Sequence, residues 1–159
     1  MPSSYQAPTR GDKDNAPTVS QSVQSNMSAQ NSTVATLLDK KGNDLFSVRP
    51  NQTIETVVML LRDQRIGAVL VTDDAGNMVG ILSERDIVRR MADTPGQTLP
   101  QKVEDLMTSK VVTCMPSDQL IGVLRKMTDG RFRHMPVTDN NGQLLGLITI
   151  GDVVNFRLN

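Results

Sequence analysis

The chain repeats itself, and the repeat constrains its fold more than any other feature. Sliding Pro50–Met91 by 66 positions onto Pro116–Arg157 aligns 42 residues without a gap and yields eleven identical pairs. They include Pro50/Pro116, Val57/Val123, Asp63/Asp129, Arg65/Arg131, the run Val71-Thr-Asp73/Val137-Thr-Asp139, Gly76/Gly142, Gly80/Gly146, Asp86/Asp152 and Val88/Val154. Chance pairing at average composition gives roughly two to four. The identities fall on turns and apolar positions, where the backbone is demanding. The chain therefore carries two copies of one small supersecondary unit.

Both copies read alike. An amphipathic helix comes first, with Ile54, Val57, Val58 and Leu61, or Leu120, Val123, Leu124 and Met127, at helical spacing. A β-rich run follows, Ala68–Thr72 or Met135–Thr138, then a tight turn, Asp73–Gly76 or Asp139–Gly142. The second strand is Met78–Leu82 or Leu144–Ile148, and a closing helix starts at Ser83 or Thr149. A short leading strand, Leu45–Val48 or Val111–Thr113, precedes each unit, with a short helix before it near Val34–Lys40 or Val103–Thr108. The fold class is α/β in the α+β sense: two tandem βαββα units packed pseudo-symmetrically through their sheets. Neither unit is large enough to bury its own sheet alone. The boundaries follow as a tail over 1–32, a first unit over 33–92, a linker over 93–101 and a second unit over 102–159.

The tail is rich in Ser, Gln and Asn, contains Pro2, Pro8 and Pro17, and shows no apolar period, which predicts disorder. Arg10 and Lys13 are balanced by Asp12 and Asp14, unlike a transit peptide. Over the whole chain 17 basic residues meet 17 acidic ones, so no long-range field gathers nucleic acid or a membrane surface. Aromatics at 3 % argue against reading single strands by stacking. One cysteine, Cys114, excludes an internal disulfide framework and a Cys-rich zinc site; it reads as a small apolar packer. No apolar run approaches a membrane span and no secretory leader is visible, so a cytoplasmic protein is expected.

The element with chemical content is Gly-x-x-Ser/Thr-x-x-Asp, present as Gly80, Ser83, Asp86 and as Gly146, Thr149, Asp152. It lies where a strand hands over to a helix. One reading is a capping box, the hydroxyl capping the helix and the acid answering the cap's own N–H. The other places hydroxyl, helix start and carboxylate on a cleft, where a carboxylate suits a ribose diol and N–H groups with nearby cations suit a phosphate. The two readings are compatible.

The duplicated unit, Gly146-Leu-Ile-Thr-Ile-Gly-Asp152 closing the Met135-Pro-Val strand, Gly80-Ile-Leu-Ser-Glu-Arg-Asp86 and Arg133-His-Met-Pro-Val137 resemble the tandem cystathionine-β-synthase (CBS) domain pair, the Bateman module, in its stand-alone bacterial form. The resemblance spans about Val34 to Asn159. It implies an adenosine-type ligand between the copies: AMP, ADP or ATP first, with NAD or S-adenosylmethionine as further candidates and no required cofactor. It puts ribose on Asp86 and Asp152 with Ser83 and Thr149 beside them. Adenine is implied against Phe46–Val48 with Ala68, and against Val111, Val112 and Thr113 with Met135 and Pro136. Phosphates are implied on Arg85 and on the Arg133-His134 pair. The copies differ at those places, Gly67-Ala68 standing opposite Arg133-His134 and Gly151 opposite Arg85, so unequal affinity is expected.

A catalytic reading has little support. The one histidine, His134, lies far in sequence from Ser83, has no metal-ligating companions beyond Cys114, and no P-loop glycine run is present. The expectation is a non-enzymatic regulatory module that senses an adenine nucleotide and changes its packing or partner contacts. The alternative is a ligand-independent dimerisation scaffold in which the motifs only cap helices. Apolar stripes on both central helices, with Ile87, Val88, Met91, Val153, Val154 and Phe156 on the closing ones, predict a homodimer, with no nucleic-acid or membrane partner.

Overall fold

The structure, a computed structural model, describes residues 32–156 apart from Asn43. The expectations for the N-terminal tail and for residues 157–158 fall outside the described residues. Eleven elements follow one another: α1 (Val34–Lys41), β1 (Ser47–Val48), α2 (Ile54–Gln64), β2 (Ala68–Thr72), β3 (Met78–Ser83), α3 (Glu84–Asp93), α4 (Val103–Leu106), α5 (Leu120–Gly130), β4 (His134–Thr138), β5 (Leu144–Thr149) and α6 (Ile150–Phe156). The α+β class holds.

Local chemistry sets the boundaries. Thr33 and Thr53 cap α1 and α2, their hydroxyls accepting the N–H of Thr36 and Thr56. α2 and α5 end in left-handed residues, Arg65 (φ 55°) and Arg131 (φ 59°), where glycine is usual. Each hairpin turn closes on an aspartate: Asp73 Oδ1 accepts the N–H of Ala75 and Asn77, and Asp139 Oδ1 those of Asn141 and Gln143.

β1, β2 and β3 form one sheet, β1 parallel and β3 antiparallel to β2, while β4 and β5 form an antiparallel pair. The leading strand expected over Val111–Thr113 is absent. A single parallel bridge, Cys114 to Val137, stands in its place. The cause is Pro136. In the first copy the Leu70 N–H donates to the Phe46 carbonyl, whereas the corresponding pair is Pro136 and Val112, and proline has no N–H to give.

The buried residues form two clusters, and the leading helices are exchanged between them. Val34, Leu37 and Leu38 of α1 pack with Leu120, Val123, Met127, Met135 and Ile148 of the second copy. Val103 and Leu106 of α4 pack with Ile54, Val57, Val69 and Leu82 of the first. Backbone bonds repeat the exchange: Val34 N–H donates to Asp118 O and Ala35 N–H to Pro116 O, as Val103 N–H does to Gln52 O and Glu104 N–H to Pro50 O. Each buried Val or Leu contributes about 1.5–3 kcal/mol, so neither core is complete without the other copy's leading helix.

The central stripes expected to feed a dimer are largely spent on these cores. Ile54, Val57, Leu61, Leu120, Val123, Met127, Ile87 and Val153 are buried, and Phe156 packs against the second cluster. Val58, Met59, Val88, Met91 and Val154 remain exposed.

Candidate ligand clefts

Both motifs are complete capping boxes. The Asp86 N–H donates to Ser83 Oγ, while Asp86 Oδ2 accepts the Ser83 N–H at 3.0 Å and its hydroxyl at 2.9 Å. In the second copy the Thr149 N–H donates to Asp152 Oδ2 at 2.9 Å and the Asp152 N–H returns to Thr149 Oγ1 at 3.0 Å. Each motif is tied to the start of the preceding strand as well, the Glu84 N–H donating to Gly67 O and the Ile150 N–H to Arg133 O.

Capping does not hide Asp86. Ser83 and Asp86 line a cleft of about 270 Å³ whose opposite wall belongs to the second copy: Lys110, Val111, Val112 and Arg131 to His134. Thr149 lines a second cleft of about 390 Å³, walled by Lys41, Phe46, Arg65, Gly67 and Ala68 of the first copy's side. Each cleft is thus composite, one copy supplying the motif and the other the wall. Both volumes are near the lower end of the range that small-ligand sites occupy.

The electrostatics of the two differ. Cleft one is lined by Arg85, Arg89, Lys110, Arg131 and Arg133 against Asp86 alone, and no ion pair among the described residues engages any of the five. Oδ1 of Asp86, like Oδ1 of Asp152, has no hydrogen-bond partner among the described residues, so half of each carboxylate stays available and the difference lies in charge. In cleft two the motif acid is already matched, because Lys41 Nζ lies 2.6 Å from Asp152 Oδ2 and 2.6 Å from the Leu147 carbonyl. Their side chains are only 29 % and 26 % exposed.

His134 lines both clefts and forms their shared wall. Its imidazole fits because Gly67 has no side chain: a Cβ there would sit 3.2 Å from His134 Nε2. Burial holds its pKa below the usual 6.5, against the pull of Glu84 and Asp152, so the ring is neutral at neutral pH. The Cys114 thiol is pushed up to about 12, mainly by burial, which makes it an inert packer.

Of the residues named from the sequence, the structure gathers Ser83, Arg85, Asp86, Val112, Arg133 and His134 on cleft one. It sets Ala68, Thr149 and His134 on cleft two, with Asp152 reached through Lys41. Val48 and Met135 point into the two cores and Pro136 is buried in β4, so their side chains lie off both linings, as does half-buried Thr113. Five cations on the linings were missed, Arg89, Lys110 and Arg131 on cleft one and Lys41 and Arg65 on cleft two; for the two lysines a signal existed. Shifting by 69 instead of 66 aligns Val34, Leu37 and Lys41 with Val103, Leu106 and Lys110, a second register that would have found both. No cluster of three or more His, Cys, Asp or Glu able to hold a metal occurs among the described residues.

A duplicated α+β unit that exchanges its leading helices and builds two composite clefts from one motif is the architecture of a tandem domain pair of the Bateman type. The CBS domain family matches residues 38–93 and 103–159, and the chain belongs to that family. A CBS-domain containing protein from Agrobacterium tumefaciens is 43 % identical and superposes with a TM-score of 0.76, over 79 % of this chain and 92 % of that one. A solved structure of CBSX2 in complex with AMP is 27 % identical with a TM-score of 0.65, over 79 % of this chain and 96 % of that one. A 17.7 kDa protein from Acidianus ambivalens is 30 % identical over 114 residues, covering 72 % of this chain and 68 % of its own length. Other curated relatives are longer, the chain spanning 58 % and 33 % of two of them. Among the described residues no helix is long and apolar enough to cross a membrane.

Proposed function

We propose that the protein is a non-enzymatic regulatory module that binds an adenine nucleotide in cleft one. The observation that carries this reading is the pairing of one half-free carboxylate, Asp86, with five unpaired cations in a cleft between the copies. A carboxylate oxygen free to accept is the chemistry of diol recognition, and the Ser83 hydroxyl, spent on Asp86, holds that carboxylate in place. Arg85 and Arg133 in the same cleft are the chemistry of phosphate recognition. The base is left to backbone and aliphatic groups on the wall, where Val112 is 45 % exposed and its carbonyl has no strand partner because of Pro136. Binding of AMP by CBSX2, a similar fold, supports the ligand class. S-adenosylmethionine, whose sulfonium is a cation, fits this wall less well.

A ligand that touches both copies shifts their packing only by its differential affinity for the two arrangements. We place the readout in a homodimer assembled through the exposed Val58, Met59, Val88, Met91 and Val154. A thermal-shift series with AMP, ADP, ATP, NAD and S-adenosylmethionine tests the reading. Phosphate-bearing ligands should raise Tm in a concentration-dependent way, and none doing so at millimolar concentration leaves a ligand-independent scaffold as the function.

A further inference from the structure

We propose that Lys41 gates cleft two. By pairing with Asp152 Oδ2 it neutralises the motif carboxylate, whose Oδ1 stays open as in Asp86, and so weakens its bond to a ligand diol: cleft one fills first and cleft two binds fully only when the Lys41–Asp152 pair breaks. This inference rests on the nucleotide reading above and adds a specificity-determining residue to it.

Three observations converge. Lys41 Nζ is 2.6 Å from both Asp152 Oδ2 and Leu147 O, and their side chains are only 29 % and 26 % exposed, so the ammonium holds the acid at close range with partial shielding from solvent. Its counterpart in the repeat, Lys110, lines cleft one without pairing to Asp86. The same lysine therefore occurs in both copies, engaged in one and disengaged in the other.

Helix length explains the difference. α1 runs for eight residues and ends on Lys41 itself, against the second motif. α4 stops after four; the chain then extends, and Thr108 pairs with Ile81 in both directions. Ile81 corresponds to Leu147 in the repeat, so the carbonyl that takes the Thr108 N–H in one copy takes the Lys41 ammonium in the other. Lys110 is left on the cleft wall, where a phosphate can meet it.

An amide NMR titration with AMP on the full chain tests the gate, with Gly130 reporting cleft one and Gly67 reporting cleft two. In the wild type Gly130 should respond first. Lys41→Met keeps the aliphatic stem and removes the charge. It should tighten the Gly67 response about tenfold, the difference between a neutral and a charge-assisted hydrogen bond, and leave Gly130 unchanged. Lys41→Arg should stay gated. A Gly67 response that is unchanged or weaker in Lys41→Met overturns the gate, because Lys41 is then inert or a ligand contact. A second readout needs no ligand: the Lys41 ammonium should give a slowly exchanging NMR signal that Asp152→Asn abolishes, and its absence in the wild type also overturns the gate. If that signal is present but no variant answers to AMP, ADP or ATP, the nucleotide reading fails and the gate with it, while the ion pair stands.

Discussion

Asp86 is the residue at which capping and binding can be separated by number. Its carboxylate completes the box at the start of α3, accepting the Ser83 N–H and hydroxyl, so Asp86→Ala should destabilise the fold by about 1 kcal/mol. For a body of this size that is a fall in Tm of about 3–5 °C. If the free Oδ1 also accepts a ribose hydroxyl, the same change removes a charge-assisted hydrogen bond of roughly 1.5–3 kcal/mol. Affinity at cleft one then drops about 10- to 150-fold. Ser83→Ala is the control. It removes the other half of the box, costs a similar 1 kcal/mol of stability, and leaves the carboxylate in place, so affinity should move by less than about threefold. Asp86→Asn keeps an acceptor for the Ser83 N–H but loses the charge, and should sit between the two in affinity. Calorimetric titration with AMP and ATP alongside thermal unfolding measures both quantities on one sample. A folded Asp86→Ala protein with the cap-sized loss of Tm but a Kd within twofold of wild type would reduce Asp86 to a helix cap.

His134 is neutral in the fold because burial lowers its pKa, so the unfolded chain binds the extra proton first. Stability should be full above about pH 6.5 and fall as the pH drops below it, and His134→Gln should flatten that slope in Tm measured from pH 7.5 to 5.5. Gly80→Ala and Gly146→Ala change the same motif position with different outcomes. A Cβ at Gly80 meets the Thr108 carbonyl at 2.9 Å, a backbone atom that cannot yield, and urea unfolding should show a loss of about 1–3 kcal/mol. At Gly146 the Cβ meets only the end of the Leu38 side chain, and the loss should be smaller. Val88 is 64 % exposed and outside both cores, so Val88→Glu should convert a dimer to a monomer by light scattering without lowering monomer stability. Phe156, packed against the second core beneath Lys40, would confound that test.

Much of this was legible because it is local. The hairpins announced themselves through Asp73-Asp-Ala-Gly76 and Asp139-Asn-Asn-Gly142, and β2 runs over Ala68–Thr72 as its composition required. The spacing of Ser83 and Asp86 encodes a capping box wherever the helix packs. What escaped was long-range or depended on one atom. Nothing in the pattern of Val34, Leu37 and Leu38 says that they serve the second core, because burial partners are not written in periodicity. Val48 and Met135 were named for backbone and aliphatic contact with a base; strand alternation turns their side chains to the cores, which leaves only their backbone for that role. Pro136 did carry a usable signal: a missing N–H in the middle strand already forbids a full leading strand beside it.

The exchange of α1 and α4 also orders the way the chain is made. As it leaves the ribosome from its N-terminal end, the first core lacks Val103 and Leu106 until that stretch has emerged, far downstream of Ile54. The second core is in the opposite position, since α1 is synthesised before everything it packs against and must wait for β5 and α6 to appear. Its apolar face and Lys41 stay uncommitted throughout that interval. Closure of the second half therefore has to follow the synthesis of α6, and it brings the earliest described helix together with the latest. A cut in the linker between the copies leaves each half holding the helix that packs in the other's core.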